Sequence, residues 1–425
     1  MPHQDSTMFL IICSAMVLFM TPGLAFFYGG LVRASSVISM MMMSFGSLGL
    51  ISILWVIYGY AMSFGHAGSG SFIGLDGVFG IDLSNLFLGG VLDSAKNGDG
   101  FGLTFAGFQG TFAIVTVALI SGAIADRAKF GSWMIFAGLW ATLVYFPVAN
   151  WVFDFTVEDG KVVDGGWLVY QIGLLDFAGG TVVEIASGAS ALALALVLGK
   201  RFGFSKGMHV PHNVPLTLIG AAILWFGWFG FNAGSALAAD GIASLAFLNT
   251  LAAPVGAMLS WMAYERLAHG KPTAVGAASG AISGLVAITP SAAYLTPLWS
   301  LVLGLVVGVV CALAIELKYV LGFDDSLDVV GIHLVGGLIG TLYIGLLGTD
   351  VGLLLGFGFE QLGRQAIGAG SVLLYAFVIS YALGWLIQKT IGFRVTSTDE
   401  IAGVDSTMHG EMAYAGTDPR WTWKA

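Results

Sequence analysis

The stretch GLLDFAGGTVVEIASGASALALALVLG, residues 173–199, decides the fold class of this chain. It is apolar over a length that suits a helix crossing the hydrocarbon core, which needs about twenty residues. Its charged residues are Asp176, near the start, and Glu184, eight residues further on. A carboxylate inside a membrane is costly unless it is paired or wetted, so such acids mark ion or substrate pathways. The stretch therefore predicts a membrane-spanning helix with a functional acid.

The composition extends this interpretation to the whole chain. Hydrophobic residues make up 57% and charged residues 10% of its 425 residues, and the mean hydropathy is +0.88, which excludes an ordinary soluble domain. We predict an all-α polytopic membrane protein with eleven transmembrane helices. The expected spans are approximately 8–32, 37–64, 104–125, 131–153, 174–199, 214–236, 242–267, 274–290, 295–318, 328–349 and 369–392.

The distribution of charge predicts the orientation. Thirteen of the sixteen Lys and Arg residues follow odd-numbered spans, and the side richer in basic residues is the cytoplasmic one. This places the N-terminus outside and the C-terminus inside. The outer loops are acidic, and we expect their carboxylates to enrich cations at the entrance. These residues are Asp76, Asp82, Asp93, Asp99, Asp154, Glu158, Asp159 and Asp164.

The chain divides into a membrane domain, residues 1–393, and a cytoplasmic tail, residues 394–425. Glu184 falls in span 5, and His333, the histidine in a comparably apolar setting, falls in span 10. Two halves of five spans must enter the membrane from opposite sides, which is the arrangement of an inverted repeat. We therefore predict a 5+5 inverted repeat followed by a final helix, with Glu184 and His333 at matching positions.

Several ordered motifs lie along the chain: FQGTF at 108–112, LDFAGGTVVE at 175–184, GWFGFNAGS at 227–235 and DDSLDVVGIH at 324–333. With FYGGLVR at 27–33, GFRV at 392–395 and HGEMAYA at 409–415, they resemble the Amt/Mep/Rh ammonium transporter family, and its Amt/Mep branch in particular. The resemblance covers nearly the whole chain. It implies a homotrimer in the cell membrane, with one narrow hydrophobic pore for ammonium or ammonia in each subunit. It implies neither a cofactor, a metal nor a nucleic-acid partner.

The resemblance also implies roles for individual residues. An aromatic face attracts a desolvated cation by about 2 kcal/mol, and a serine hydroxyl can accept a hydrogen bond from it. By motif position, Phe108 and Ser235 match the outer recruitment site, and Asp176 matches the acid that supports this site. Phe112 and Phe231 match the stacked pair that forms the pore gate, and Trp228 matches the mid-pore tryptophan. Glu184 and His333 match the pore pair, to which we assign a proton relay.

Two positions depart from the family pattern. Glu184 stands where most members have the first pore histidine, and some fungal members also carry an acid there. The Glu184 and His333 pair is therefore either a charged couple or a neutral acid beside a neutral imidazole. The usual outer-site tryptophan is also absent from NWVFDF, residues 150–155. We expect Phe153 to take its place, with Trp167 a weaker candidate and Trp151 unassigned. Because indole is the best cation–π partner, this site should bind a cation less tightly.

Plainer alternatives exist for three features. Asp176 opens span 5, where capping free backbone N–H groups is favoured over direct contact with substrate. His209 and His212 lack further metal-ligating neighbours, so we interpret them as ordinary loop residues. The tail carries Asp399, Glu400, Asp405, His409 and Glu411. It resembles the family segment that couples subunits and meets PII-type regulators, and its alternative is a solvated terminus.

Three other functions compete with transport. A sensor of this fold would need a separate signalling partner, because the tail is only about thirty residues long. A neutral gas channel of the Rh type would carry no substrate-dependent current. A membrane enzyme using Glu184 and His333 is disfavoured, because the sequence supplies no nucleophile, metal cluster or cofactor loop.

Overall fold

The structure, a computed structural model, describes residues 2–65, 69–158, 161–204 and 210–414. This part of the chain contains eleven helical segments long and apolar enough to cross a membrane, in agreement with the predicted number. In chain order, spans 1 to 11 are Asp5–Leu31, Val37–Ser63, Phe101–Ile124, Phe130–Phe153, Gly180–Leu198, Val214–Gly234, Gly241–Ala268, Ala274–Ser291, Pro297–Leu321, Val330–Leu347 and Glu360–Thr390.

Two predicted boundaries were wrong. Span 5 begins at Gly180 rather than at 174, because the preceding residues are non-helical and the Asp176 side chain binds the first free N–H groups. Span 11 begins at Glu360 rather than at 369. Its first turns carry a polar i,i+4 pair, in which Arg364 donates to Glu360 at 2.5 Å, so hydropathy alone places them in a loop.

The closest helix packing includes contacts between the two halves of the chain. Span 1 packs along span 6, span 5 along span 11, and span 7 against spans 8 and 9, while spans 5 and 10 meet at the centre. Glycines permit the closest approaches: a Cβ at Gly304 or Gly308 in span 9 would collide with the backbone of Ala253 or Ala257 in span 7. Glycines four residues apart thus let this pair of helices approach closely.

One side of the molecule carries two β-hairpins, and we call it the outer face, following the charge distribution. Strands β1 (Phe72–Leu75) and β2 (Phe79–Asp82) form the first hairpin, which is followed by a short helix, Gly89–Lys96. Strands β3 (Phe155–Glu158) and β4 (Lys161–Gly165) form the second, antiparallel with Val157 opposite Val162.

The expectation that all the acidic residues of the outer loops face the pore entrance was partly wrong. Asp82 and Asp154 are only 3% and 4% exposed. Asp82 accepts hydrogen bonds from the backbone and hydroxyl of Ser84, and Asp154 accepts one from Asn150 at 2.7 Å. These two carboxylates brace loops instead of facing solvent. Asp159 lies outside the described residues.

The opposite, inner face holds the tail, which docks on the membrane domain. A helix at Ser397–Ala402 precedes a single turn at Asp405–His409. Glu400 is buried and accepts from Arg394 at 2.8 Å and from the Phe202 backbone at 2.6 Å. Asp405 accepts from the backbone N–H groups of Ile38 and Ser39, at the start of span 2. The solvated-terminus alternative is therefore wrong for Glu400 and Asp405, whereas Asp399 is half-buried and Glu411 is exposed.

Candidate conduction pore and outer vestibule

Spans 5 and 10 begin in the same way. Each opens with a π-helical segment, Gly180–Ile185 or Val330–Leu334, and each has an aspartate eight residues before its pore residue. Asp176 accepts from the N–H groups of Gly179, Gly180 and Thr181 at 2.7–2.8 Å. Asp325 accepts from the Val330 N–H at 2.6 Å. This correspondence supports the inverted repeat at the level of individual residues, and it favours the capping interpretation of Asp176.

The two pore residues are in direct contact. His333 Nδ1 lies 2.6 Å from Glu184 Oε2, and the residues are 4% and 0% exposed. Glu184 Oε1 is buried and has no hydrogen-bond partner among the described residues. Because both side chains line the same cavity, the free carboxylate oxygen remains available to a small donor that enters the pore.

Glycines let the two helices come this close. A Cβ at Gly188 in span 5 would lie 2.6 Å from Leu334 Cβ and closer still to the Leu334 backbone nitrogen. On span 10, a Cβ at Gly337 would lie 2.8 Å from Glu184 Cβ. The crossing therefore depends on the absence of side chains at these positions, and the Glu184 to His333 distance depends on the crossing.

An aromatic pair closes the outer end of the pore. The rings of Phe112 and Phe231 stack with centroids 4.1 Å apart and an angle of 27° between their planes, and both residues are buried. Trp228 follows at 5.7 Å from Phe231, held by a 2.8 Å hydrogen bond from its indole nitrogen to the hydroxyl of Thr289.

The cavity beyond this gate has a volume of about 10 Å³, close to what one water molecule requires. Its other lining is apolar, with Leu24, Val115 and Ile282 among the contributing side chains. A hydrated cation does not fit here, so any transported ion must lose its water before it passes the gate.

Outside the gate lies a wider vestibule of about 490 Å³. It is lined by four of the predicted residues: Phe112, Phe153, Asp176 and Ser235. The Ser235 hydroxyl donates to the Phe231 carbonyl at 2.8 Å, which leaves its lone pairs able to accept. The cavity thus ends on the outer surface of the aromatic pair.

Other predicted or considered outer residues lie elsewhere. Phe108 is fully buried, 4.8 Å from the Phe112 ring, and the vestibule lining includes Phe105 and Gln109 from its helix instead. Trp151 donates to the Val78 carbonyl and packs 5.6 Å from Trp167. The direct recruitment role of Phe108 stays a prediction.

The inner mouth is built from paired charges. Arg201 is 6% exposed and bridges Asp126 at 3.1 Å and Asp324 at 2.9 Å. Burial alone would raise the pKa of Asp324, but hydrogen bonds from Arg201 and the charge of Arg127 outweigh it and leave that pKa below its usual value. Burial lowers the pKa of the Arg127 guanidinium to about 10.

Asp325 behaves differently from its neighbour. Burial, helped by the nearby Asp328 carboxylate, raises the pKa of Asp325 to about 6. The capping aspartate of span 10 therefore changes charge just below neutral pH.

One of the two loop histidines joins the tail to the membrane domain. His212 bonds through Nδ1 to the Val32 carbonyl at 2.8 Å and through Nε2 to the Tyr414 hydroxyl at 2.7 Å. His209 lies outside the described residues. The interactions of His212 are those of a structural loop residue.

Sequence reasoning missed several residues that shape the site. Thr289 orients Trp228, and Gln365 of span 11 clamps the segment before Asp176 by bonding both backbone groups of Leu175 at 2.9 and 2.7 Å. Neither belongs to a motif with an evident chemical role. The sequence does contain a signal for Asp325. This residue lies eight positions before His333, and Asp176 lies eight positions before Glu184.

A bundle of membrane-spanning helices around a narrow, gated lumen with two titratable groups defines a channel or transporter for a small solute. A sequence profile of the Ammonium Transporter Family matches residues 8–414. The chain belongs to this family, and its sequence relatives are named as transporters, which is not an enzymatic function.

Relatives and solved structures agree with this assignment. The chain is 49% identical to a protein of Mycobacterium tuberculosis named "Ammonium transporter", over 97% of this chain and 91% of that relative. The crystal structure of Candida albicans Mep2 is 33% identical with a TM-score of 0.83, covering 98% of this chain and 92% of that chain. A structure titled "Sensor Amt Protein" is 27% identical with a TM-score of 0.86, covering 96% and 99%.

Proposed function

We propose that this protein transports ammonium across the cell membrane as ammonia and a separately relayed proton, with Glu184 and His333 as the relay. The observation that carries this proposal is the 2.6 Å contact between the two side chains in a water-sized lumen below a closed aromatic gate. Transferring an unpaired ion into such an environment costs many kcal/mol, whereas neutral ammonia avoids this cost.

The cation is first held in the vestibule. The rings of Phe112 and Phe153, with centroids 6.4 Å apart, attract it, and Ser235 accepts a hydrogen bond from it. Asp176 adds a negative charge while its oxygens remain bonded to the start of span 5. Phe108 packs edge to face against the ring of Phe112 and so supports the gate. Together these contacts replace part of the hydration shell.

The proton then separates from the nitrogen. A dehydrated ammonium ion that has passed Phe231 meets ionised Glu184 in the lumen, one of its N–H bonds breaks as the carboxylate gains an O–H bond, and neutral ammonia continues along the apolar pore. The acid passes a proton from Oε2 to His333 Nδ1, the resulting imidazolium releases the Nε2 proton toward the inner mouth, and the imidazole returns to its starting tautomer before the next cycle. The net result is one ammonia and one proton on the inner side, and Glu184 is again ionised.

Currents on a solid-supported membrane test the proposal with the purified protein in proteoliposomes. We expect a current with ammonium, a smaller one with methylammonium, and a still smaller one with potassium, which cannot give up a proton. A Rh-type neutral gas channel and a pure sensor both predict no ammonium current. A potassium current as large as the ammonium current would contradict deprotonation in the pore.

The sensor alternative has limited support. The structure with "sensor" in its title shares 27% identity with this chain, whereas the M. tuberculosis relative named as a transporter shares 49%. The similarity to the sensor structure therefore supports a shared fold, but it is weak support for a shared sensor function.

We also propose the assembly and the regulatory partner. Large apolar side chains are exposed on several spans, among them Phe226 and Phe247, and they suit contact with lipid or with neighbouring subunits. A homotrimer would have three times the 44.4 kDa chain mass in native mass spectrometry, and a monomeric mass would contradict it. The docked tail and the inner mouth form the face where a PII-type protein would bind, which co-sedimentation with proteoliposomes tests.

A further inference from the structure

The outer vestibule is far larger than its proposed substrate. Its volume is about 490 Å³, whereas a water-sized ion needs about 10–15 Å³ on the same measure. This volume lies in the range of pockets that hold small organic ligands, about 300–1,000 Å³. The cavity therefore offers contacts that ammonium itself cannot make.

The lining matches one class of ligand. The second hairpin contributes an apolar wall, because Phe155 and Val157 share a face of β3 and Val162 stands opposite Val157 on β4. Phe153 and Tyr294 add aromatic rings, and burial raises the pKa of Tyr294 to about 12, so that its phenol is neutral. Rings and aliphatic groups around a cavity are the usual surroundings of alkylated ammonium ions.

Charge favours a cation over a neutral ligand. Asp176 is the one charged residue in the lining found among the described residues. The closed gate below it, with rings 4.1 Å apart, prevents a bulky cation from going further.

We propose that the vestibule binds alkylated ammonium cations that are too large to pass the gate, and that the second hairpin builds this site. Such cations occupy the place of ammonium above Phe112 and act as competitive blockers. The inference rests on the proposed function, since competition requires that the vestibule feeds the pore.

Tetramethylammonium is the probe. We expect it to raise the ammonium concentration needed for half-maximal current, to leave the maximal current unchanged, and to give no current itself. The uncharged tert-butanol, of similar size and shape, should not inhibit at the same concentration. A lower maximal current, no inhibition at hundredfold excess, equal inhibition by tert-butanol, or a current carried by tetramethylammonium would each overturn the proposal.

A matched pair of variants tests the hairpin. Val162→Ser removes apolar contact from the cavity wall and should raise the inhibition constant of tetramethylammonium about threefold. Val163→Ser makes the same change on the neighbouring residue, which is 38% exposed and absent from the lining, and should leave that constant unaltered. Equal effects of the two variants would overturn the assignment of the hairpin.

Binding can be measured apart from transport. Saturation-transfer NMR on the methyl signal of tetramethylammonium, with the purified wild-type protein in detergent, should show binding that ammonium displaces. Binding without any ammonium current would contradict the transport proposal and leave the site intact. Ammonium current without binding would contradict the site alone.

Discussion

Gly188→Ala tests whether the close crossing of spans 5 and 10 sets the geometry of the pore. The added methyl would lie 2.6 Å from Leu334 Cβ, where ordinary contact begins at 3.4 Å, so the helices must separate by about 1 Å. That movement stretches the 2.6 Å contact between Glu184 and His333 to roughly 3.4 Å, beyond a normal hydrogen bond. Overpacking of this kind costs about 1–3 kcal/mol of stability.

The expected functional loss is larger than the loss of stability suggests. A misplacement of about 1 Å at a reacting group lowers rates by about a hundredfold. We expect the ammonium current of Gly188→Ala in proteoliposomes to fall by at least tenfold at equal protein density. Gly370→Ala is the control, because a Cβ there meets nothing within 4 Å. A folded Gly188→Ala protein with full current would refute the dependence of the relay on this crossing.

Three further predictions concern the surroundings of the pore. Gln365→Leu leaves the backbone N–H and C=O groups of Leu175 without their partner, so it should destabilise the protein by about 2 kcal/mol. The control Gln171→Leu, at an exposed position, should not change stability. Equal thermal unfolding midpoints for the two variants would contradict the clamp. The folded pKa of Asp325 is raised from 3.8 to about 6, so its charge costs up to about 3 kcal/mol above pH 6 and nothing below pH 3.8. Asp325→Asn should therefore gain stability relative to wild type as the pH rises from 4 to 7, and a constant difference would contradict this. Glu400→Gln weakens the pairing with Arg394 and should speed protease cleavage of the tail, whereas the exposed Glu411→Gln should not; equal rates would contradict tail docking.

Much of the membrane architecture could be predicted because hydropathy reports directly how long each apolar segment is. The eleven spans follow from it, and the motif order places Phe231, Trp228 and the Glu184 to His333 pair in one lumen, with Phe112 stacked on Phe231. Charge patterning was less informative, because it does not show whether a loop carboxylate such as Asp154 is already hydrogen-bonded.

The rest of the site required coordinates because it depends on close contacts between distant segments. The Gln365 clamp joins residues 190 positions apart, and the crossing at Gly188 is one glycine approach among many in a glycine-rich chain. The sequence shows the second hairpin only as part of an acidic outer loop. Its apolar face toward the vestibule depends on the pairing of Val157 with Val162, and the loop composition does not show this pairing.

Glu184→Gln tests the relay most directly. Glutamine keeps the size of the side chain and a hydrogen bond to His333 but cannot accept and release a proton. Solid-supported-membrane currents from proteoliposomes at matched protein density should show ammonium current lost in Glu184→Gln and retained in Glu184→His, since imidazole can also carry a proton. An undiminished ammonium current in Glu184→Gln would contradict the proposed role of this residue.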